Sequence, residues 1–454
     1  MTRSLSDGST RAIMARLEQA NARVARLYPG ETGGRQPVHT VYGGAHLFTA
    51  DVSRKLGAAA LRMLDEYAPD PVAFASAFGF DRGLAETIYQ RVRTKLEREP
   101  VEDFRIDFED GYGNRPDEEE DGHAIAAAEQ MAAGMAAGRL PPFIGIRLKP
   151  LSEELRQRSI RTLDLFVTTL VRKAGGRLPA NFVVTLPKVR APEQMSALID
   201  VLELLERAPG LPAGSLKMEF MVEVTQSVLN ERGESNLLHL VAAARGRCVA
   251  AHFGTYDYTA SCGITAAHQQ MLHPACDFAK HMMQVSLAGT GIWLSDGATN
   301  VMPVPLHAAA PGGPPLTAEQ KEENRQSVHR AWALEFAHIQ HSLTNGYYQG
   351  WDLHPAQLPA RYAAVYAFFL ENLEASSERL RNFVKKSAQA TLVGEVFDDA
   401  ATGQGLLNYF LRAINCGAIT EAEALPRAGL TPEELRLASF VKIIQGRAVA
   451  RASP

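Results

Sequence analysis

From about residue 40 the chain alternates between short apolar runs and longer amphipathic stretches. The runs are FRIDFED (104–110), FIGIRLK (143–149), FVVTLPK (182–188), LKMEFMVE (216–223), CVAAHFGTYD (248–257), LAGTGIWLSD (287–296) and WDLHP (351–355). Runs this short, rich in β-branched and aromatic residues, read as strands buried on both faces. Between them, 121–138, 191–208, 232–245, 265–286 and 321–344 carry helical spacing. Repeated strand–helix units predict parallel α/β packing. VYGGAHLFTADVS (41–53) reads as a short strand running into a helix, and with the run at 44–48 there are eight strand candidates, which favours a closed (β/α)8 TIM barrel over about 40–360; a doubly wound open sheet is the rival. Residues 9–28 predict a surface helix ended by Tyr28, Pro29 and Gly30, within an N-terminal segment 1–39. The segment PGGPPLT (311–317) reads as a loop. After 360 the alternation stops, and 361–388, 401–415 and 431–447 predict a mostly helical C-terminal appendage over 361–454, serving the active site or an oligomer.

Composition narrows the classes without choosing among them. The 454 residues are 46% hydrophobic and 22% charged, enough apolar material for a large core. Lys and Arg total 47 against 51 Asp and Glu, a formal charge of 47 − 51 = −4, which argues against a nucleic-acid partner. The four cysteines, Cys248, Cys262, Cys276 and Cys416, form no Cys-x-x-Cys pair and no disulfide framework. The N-terminal residues are broken by charges, and no run of 18 apolar residues follows, so the expectation is a cytoplasmic protein with no membrane partner. Phosphate-loop, completed GxGxxG and HExxH patterns are missing. His268, His273, His338 and His341 read as structural.

The polar residues gather at strand ends, where barrels and open sheets alike place their chemistry. Glu223 and Asp257 end successive strands and could form half of a Mg²⁺ shell, or could be rim carboxylates paired with Arg or Lys. Asp107 and Glu109 share a strand face, with Asp110 beside them, and burying such acids requires compensation. Arg147 and Lys188, from the next two strands, could compensate or could hold the carboxylate of a 2-oxo acid. Lys188 could in principle form a Schiff base. His354 lies at the last strand end.

These segments together resemble the superfamily of malate synthase and the citrate lyase β-subunit, the HpcH/HpaI aldolase and phosphoenolpyruvate/pyruvate barrel group, over roughly 40–360. FRIDFEDGYG is similar to its acidic second strand, IGIRLKP to its arginine-bearing third, and VTLPKV to its proline–lysine fourth. FMVEVTQSV resembles the segment whose glutamate binds Mg²⁺, and HFGTYDYTAS the turn carrying the other metal-binding aspartate. GWDLHPAQL is similar to the eighth strand of the lyase branch. The resemblance implies Mg²⁺, or Mn²⁺, on Glu223 and Asp257. It also implies a clamp by Arg147 with Lys188, Asp110 and His354 on the substrate, and Asp107, Glu109 and Asp110 orienting the shell. EVFDDAATGQGLLNYF (395–410) resembles the C-terminal malate synthase segment that carries the catalytic base, which would here be Asp399, brought over the carboxyl-terminal rim. Asp398 or Asp399 could instead cap the helix that follows, and then Glu109 is the next candidate base. The implied activity is carbon–carbon bond making or breaking on a small 2-oxo acid or its hydroxy-acid adduct. A coenzyme A thioester partner stays open, since no segment marks its pocket. The alternatives are a phosphoenolpyruvate- or pyruvate-using phosphotransferase or carboxy-lyase, and a non-catalytic scaffold. A homo-oligomer is expected from the apolar surface of the appendage.

Overall fold

Helix α1 (Asp7–Leu27) precedes eight strands: β1 (His39–Gly44), β2 (Asp103–Asp107), β3 (Phe143–Arg147), β4 (Phe182–Leu186), β5 (Lys217–Val222), β6 (Cys248–Phe253), β7 (Trp293–Ala298) and β8 (Gln349–Asp352). Each strand pairs in parallel with the next, and β8 returns to β1 with His39 opposite Gly350, so the sheet is a closed barrel. The structure is a computed structural model that describes residues 4–5, 7–30, 34–208, 210–310, 312–385, 391–393, 396–398 and 400–452. No helix among them is long and apolar enough to cross a membrane.

Two departures from the sequence reading have physical causes. The first strand is His39–Gly44, not 44–48, and 45–47 form a 3-10 turn. Its polar start disguises it: His39 Nδ1 pairs with Asp352 at 2.6 Å, and Thr40 donates to Asp103 at 2.9 Å, both wholly buried. The second departure is the helix Arg156–Lys173, which the sequence reading omits between β3 and β4. It buries Leu163, Phe166, Val167 and Leu170, an i, i+3, i+4, i+7 stripe interleaved with threonines and charges.

The barrel interior is not the usual stack of branched aliphatics. Alternate residues point inward, so the DFRID strand sends Asp103, Arg105 and Asp107 to the axis. Arg105 crosses to Glu219 on β5 with two hydrogen bonds, Nε to Oε1 at 2.7 Å and NH2 to Oε2 at 2.8 Å, and also bonds Asp103. Thr185 donates to Glu219 at 2.5 Å, and His252 Nε2 lies 3.0 Å from it. Burial works against the Glu219 carboxylate, but Arg105 and His252 outweigh it and hold the group well below its ordinary pKa. Close backbone approach helps the barrel close: a Cβ at Gly145 would lie 2.1 Å from the Val183 carbonyl.

Beyond β8, the helix Leu358–Glu371 runs back along the barrel and buries Tyr362, Tyr366 and Phe369. The helix Ala400–Asn415 then packs antiparallel to it, with Tyr409 bonded to the Phe369 carbonyl and Gly417 near the Tyr366 hydroxyl. Arg412 lies 3.8 Å over the Tyr348 ring and 3.3 Å from Gln36. Gln36, Tyr348 and Trp293 mark the amino-terminal ends of β1, β8 and β7, so this region covers the amino-terminal end of the barrel.

Glu219→Ala should lower the unfolding free energy by about 3–5 kcal/mol, the usual cost of stranding one member of a buried ion pair. Chemical denaturation checks this, and Glu219→Gln, which keeps the shape and one acceptor, should cost less.

Candidate functional site

At the carboxyl-terminal rim the chain turns sharply after β2 and β4. The Asp107 carboxylate accepts from the Glu109 N–H at 3.0 Å and the Gly111 N–H at 2.7 Å, which folds the DGYG turn around it. A Cβ at Gly111 would lie 2.6 Å from Asp107 Oδ2, so that turn requires glycine. After β4, Pro187 is followed by Lys188 in the left-handed region, with φ +50°. That conformation is strained for a lysine, and it aims both ends of the residue at one place. The Lys188 N–H donates to Glu223 Oε1 at 2.7 Å. Its ammonium bonds Glu109 and lies 3.2 Å from Asp110 and 3.1 Å from Asp257.

Four carboxylates from three loops therefore converge on Lys188, three on its ammonium and Glu223 on its backbone N–H. Glu223 directly follows β5 and is 1% exposed, whereas Asp257 lies in the first turn of the helix Thr255–Ser261 and is partly open to solvent. Burial pushes Glu223 up to about 8; Lys188 opposes the rise, and Glu109 and Asp257 add to it. Burial also raises Glu109 above its usual range, against the pull of Arg147 and Lys188. Burial disfavours the Lys188 ammonium, but Glu223, Glu109 and Asp110 outweigh it and hold its pKa above that of ordinary lysine.

Arg147 ends β3 beside this cluster. Its Nε and NH2 reach Asp107 at 2.7 and 2.5 Å, and NH1 lies 3.2 Å from Glu109 Oε2. Its guanidinium lies 4.6 Å over the Tyr42 ring and 5.8 Å from the Trp351 ring. Burial raises Asp107, but Arg147 and the two turn N–H groups outweigh it and keep Asp107 ionised.

The structure thus brings together Arg147, Glu109, Asp110, Lys188, Glu223 and Asp257. It ties His354 to its own turn, where Nδ1 accepts from the Ala356 N–H at 3.2 Å. Asp399 lies outside the described residues. Asn408, Leu411, Arg412 and Asn415, on the helix that follows it, line a cavity with Gln36, Trp293 and Tyr348 at the amino-terminal end of the barrel. Sequence reasoning missed the Tyr42–Trp351 wall under Arg147 and the Arg105–Glu219–His252 layer beneath it. The Trp351 indole N–H, 3.3 Å from His252 Nδ1, joins the two. The period-2 placement of Asp103, Arg105 and Asp107 on one strand, and of Glu219 and Met221 on another, carried that signal. Among the described residues no set of three or more His, Cys, Asp or Glu side chains is arranged to hold a metal ion.

A family profile described as a domain of unknown function, DUF6986, matches residues 17–443. The chain belongs to the DUF6986 family. No curated protein matches this DUF6986 chain in sequence. Among solved structures it shares its fold with a citrate lyase from Burkholderia xenovorans LB400, at TM-score 0.56 and 18% identity over 88% of this chain and 98% of that one. CitE from Mycobacterium tuberculosis, in complex with magnesium, acetoacetate and coenzyme A, aligns at TM-score 0.45 and 14% identity, over 88% and 100% of the two chains. Haloferax volcanii malate synthase, as a magnesium/glyoxylate complex, aligns at 0.45 and 14%, over 90% and 97%. The resemblance read from the strand motifs is matched by the citrate lyase at the level of the DUF6986 fold.

Lys188→Met and Lys188→Gly both remove the ammonium and should both destabilise the protein, by about 2–3 kcal/mol for methionine. Glycine relieves the left-handed backbone and should recover about 1 kcal/mol. Denaturation midpoints of the pair check this, and equal values would mean that the backbone at 188 is unstrained. Gly254→Ala should disturb the same site without removing a charge, because its methyl would lie 2.5 Å from Glu223 Oε2 and 2.6 Å from Glu223 Cβ. The expected cost is about 1–3 kcal/mol.

Proposed function

We propose that the protein is a divalent-metal-dependent carbon–carbon lyase or synthase, of aldol or Claisen type, acting on a small 2-oxo acid or its hydroxy-acid adduct. The observation that carries this reading is the convergence of Glu109, Asp110, Glu223 and Asp257 on Lys188, next to Arg147. Together with Asp107 these are five carboxylates against two cations, so the rim holds negative charge in excess. The donors are hard oxygens, and Glu109 Oε2 is buried with no hydrogen bond. Such a set fits Mg²⁺ or Mn²⁺, which takes few protein carboxylates and keeps waters or substrate oxygens in its other positions. In this reading Glu223 and Asp257 hold the ion. When bound, the ion supplies Lewis-acid polarisation of a 2-oxo acid carbonyl.

The chain's own groups have defined tasks. Arg147 is fixed by Asp107 and keeps N–H groups on NH1 and NH2 for substrate oxygen, where charge grows as the carbon–carbon bond forms or breaks. Lys188 gives up Asp257 and stays on Glu109 and Asp110, keeping a positive charge at the mouth. Glu109, made more basic by burial, moves the proton at the carbon next to the carbonyl. Glu109 is taken as the base because it lies beside both Arg147 and Lys188.

The test is a screen of 2-hydroxy and 3-hydroxy acids, with and without coenzyme A esters, following release of glyoxylate or pyruvate with and without Mg²⁺. Metal-dependent turnover is expected. It should fall at least about 100-fold in Glu223→Gln, in Asp257→Asn and in Arg147→Lys, which keeps charge but loses the guanidinium fork. Calorimetry should show Mg²⁺ binding weakened in the first two. Undiminished metal binding in both would end the metal assignment. Glu109→Gln should abolish proton exchange while Asp399→Asn stays active, and the reverse result would move the base to Asp399.

A further inference from the structure

Helix α1 is 21 residues long and precedes the first barrel strand. None of its described side chains is buried, and Ile13, Leu17, Val24 and Leu27 are 52%, 51%, 52% and 58% exposed. The tether is short: the Gly30 N–H donates to the Gly289 carbonyl at 2.8 Å, and Tyr28 packs against Gly289. A lone helix of this length with its apolar side chains in water is only marginally stable.

The apolar residues Ile13, Leu17, Ala20, Val24 and Leu27 are spaced 4, 3, 4 and 3 apart. That is the 3.5-residue period of a coiled-coil seam, maintained for two heptads over the carboxyl-terminal two thirds of the helix. With Leu17 and Val24 at a positions, Ile13, Ala20 and Leu27 fall at d. Arg16 and Arg23 then occupy g, and Met14, Asn21 and Tyr28 occupy e.

We propose that α1 is a dimerisation helix that pairs, parallel and in register, with α1 of a second copy of this chain. The charge pattern selects both partner and direction. An antiparallel pair sets g against g and would face Arg16 with Arg23 of the other copy. A parallel pair sets g against the e position five residues on, so Arg16 meets Asn21 and Arg23 meets Tyr28. An amide oxygen and an aromatic ring both accept a guanidinium, and no like charges oppose. The seam is therefore complementary to itself. It is also narrow, with arginines at 16 and 23 on its border, whereas a helix lying in a membrane surface presents a broad apolar face. At 1.5 Å per residue the seam from Ile13 to Leu27 is about 21 Å long, and one helix face of that length falls short of the ~800 Å² per partner of a standard interface. The association is accordingly expected to depend on protein concentration.

Sedimentation velocity on the full chain, over a concentration series, reads the outcome directly. Wild type should move from 49.4 kDa towards twice that mass. Leu17→Glu/Val24→Glu should lose this step while keeping the barrel's melting temperature, because neither side chain touches the core. Leu17→Cys, in a Cys262→Ser background that removes the exposed thiol, should cross-link to itself on oxidation, since parallel a positions come within disulfide reach. A monomer at every concentration, or a dimer unaffected by the glutamate pair, overturns the proposal. So does a dimer that fails to cross-link through position 17. A monomer that binds phosphatidylserine vesicles through α1 would identify a membrane helix instead.

Discussion

Charge placed inside a barrel must be answered within a few ångströms, and that constraint runs through this molecule from end to end. At mid-height Arg105 bonds both Glu219 and Asp103, with Thr185 and His252 also on Glu219 and Thr40 on Asp103. One layer up, Asp107 is answered by Arg147 and two backbone N–H groups. At the rim the compensation runs short, with Lys188 shared among Glu109, Asp110 and Asp257 while its backbone serves Glu223. Hydrogen bonds to every acid below, and carboxylates outnumbering cations above, divide the barrel into a paired floor and an acidic mouth.

The floor has a mechanical role. Glu219 holds His252, His252 receives the Trp351 indole N–H, and Trp351 with Tyr42 supports the Arg147 guanidinium. Each contact removes a rotamer choice from the next group, so Arg147 meets the rim with little freedom left to lose.

The closed barrel was legible because strands buried on both faces leave unbroken apolar runs, as in FIGIR and FVVTL. β1 was displaced in the reading because His39 and Thr40 are polar residues with buried partners, which a hydrophobicity pattern scores as surface. The site was legible where charge ends an apolar run, at Arg147, Lys188 and Glu223. His354 ends a run in the same way and places Nδ1 in a local turn, a use that sequence spacing does not separate from ligand binding. Tyr42 and Trp351 escaped notice because an aromatic inside a strand is normally plain core, and only the third dimension sets them under a guanidinium.

The left-handed backbone at Lys188 also bears on how this position can vary. A residue there must tolerate positive φ, which favours glycine or asparagine, and must carry a long cation, which favours lysine or arginine. No residue type meets both demands well. Random substitution that improves the backbone discards the charge, and substitution that keeps the charge keeps the strain. Position 188 therefore sets backbone comfort against charge, and among Glu109, Asp110, Glu223 and Asp257 the charge decides for lysine.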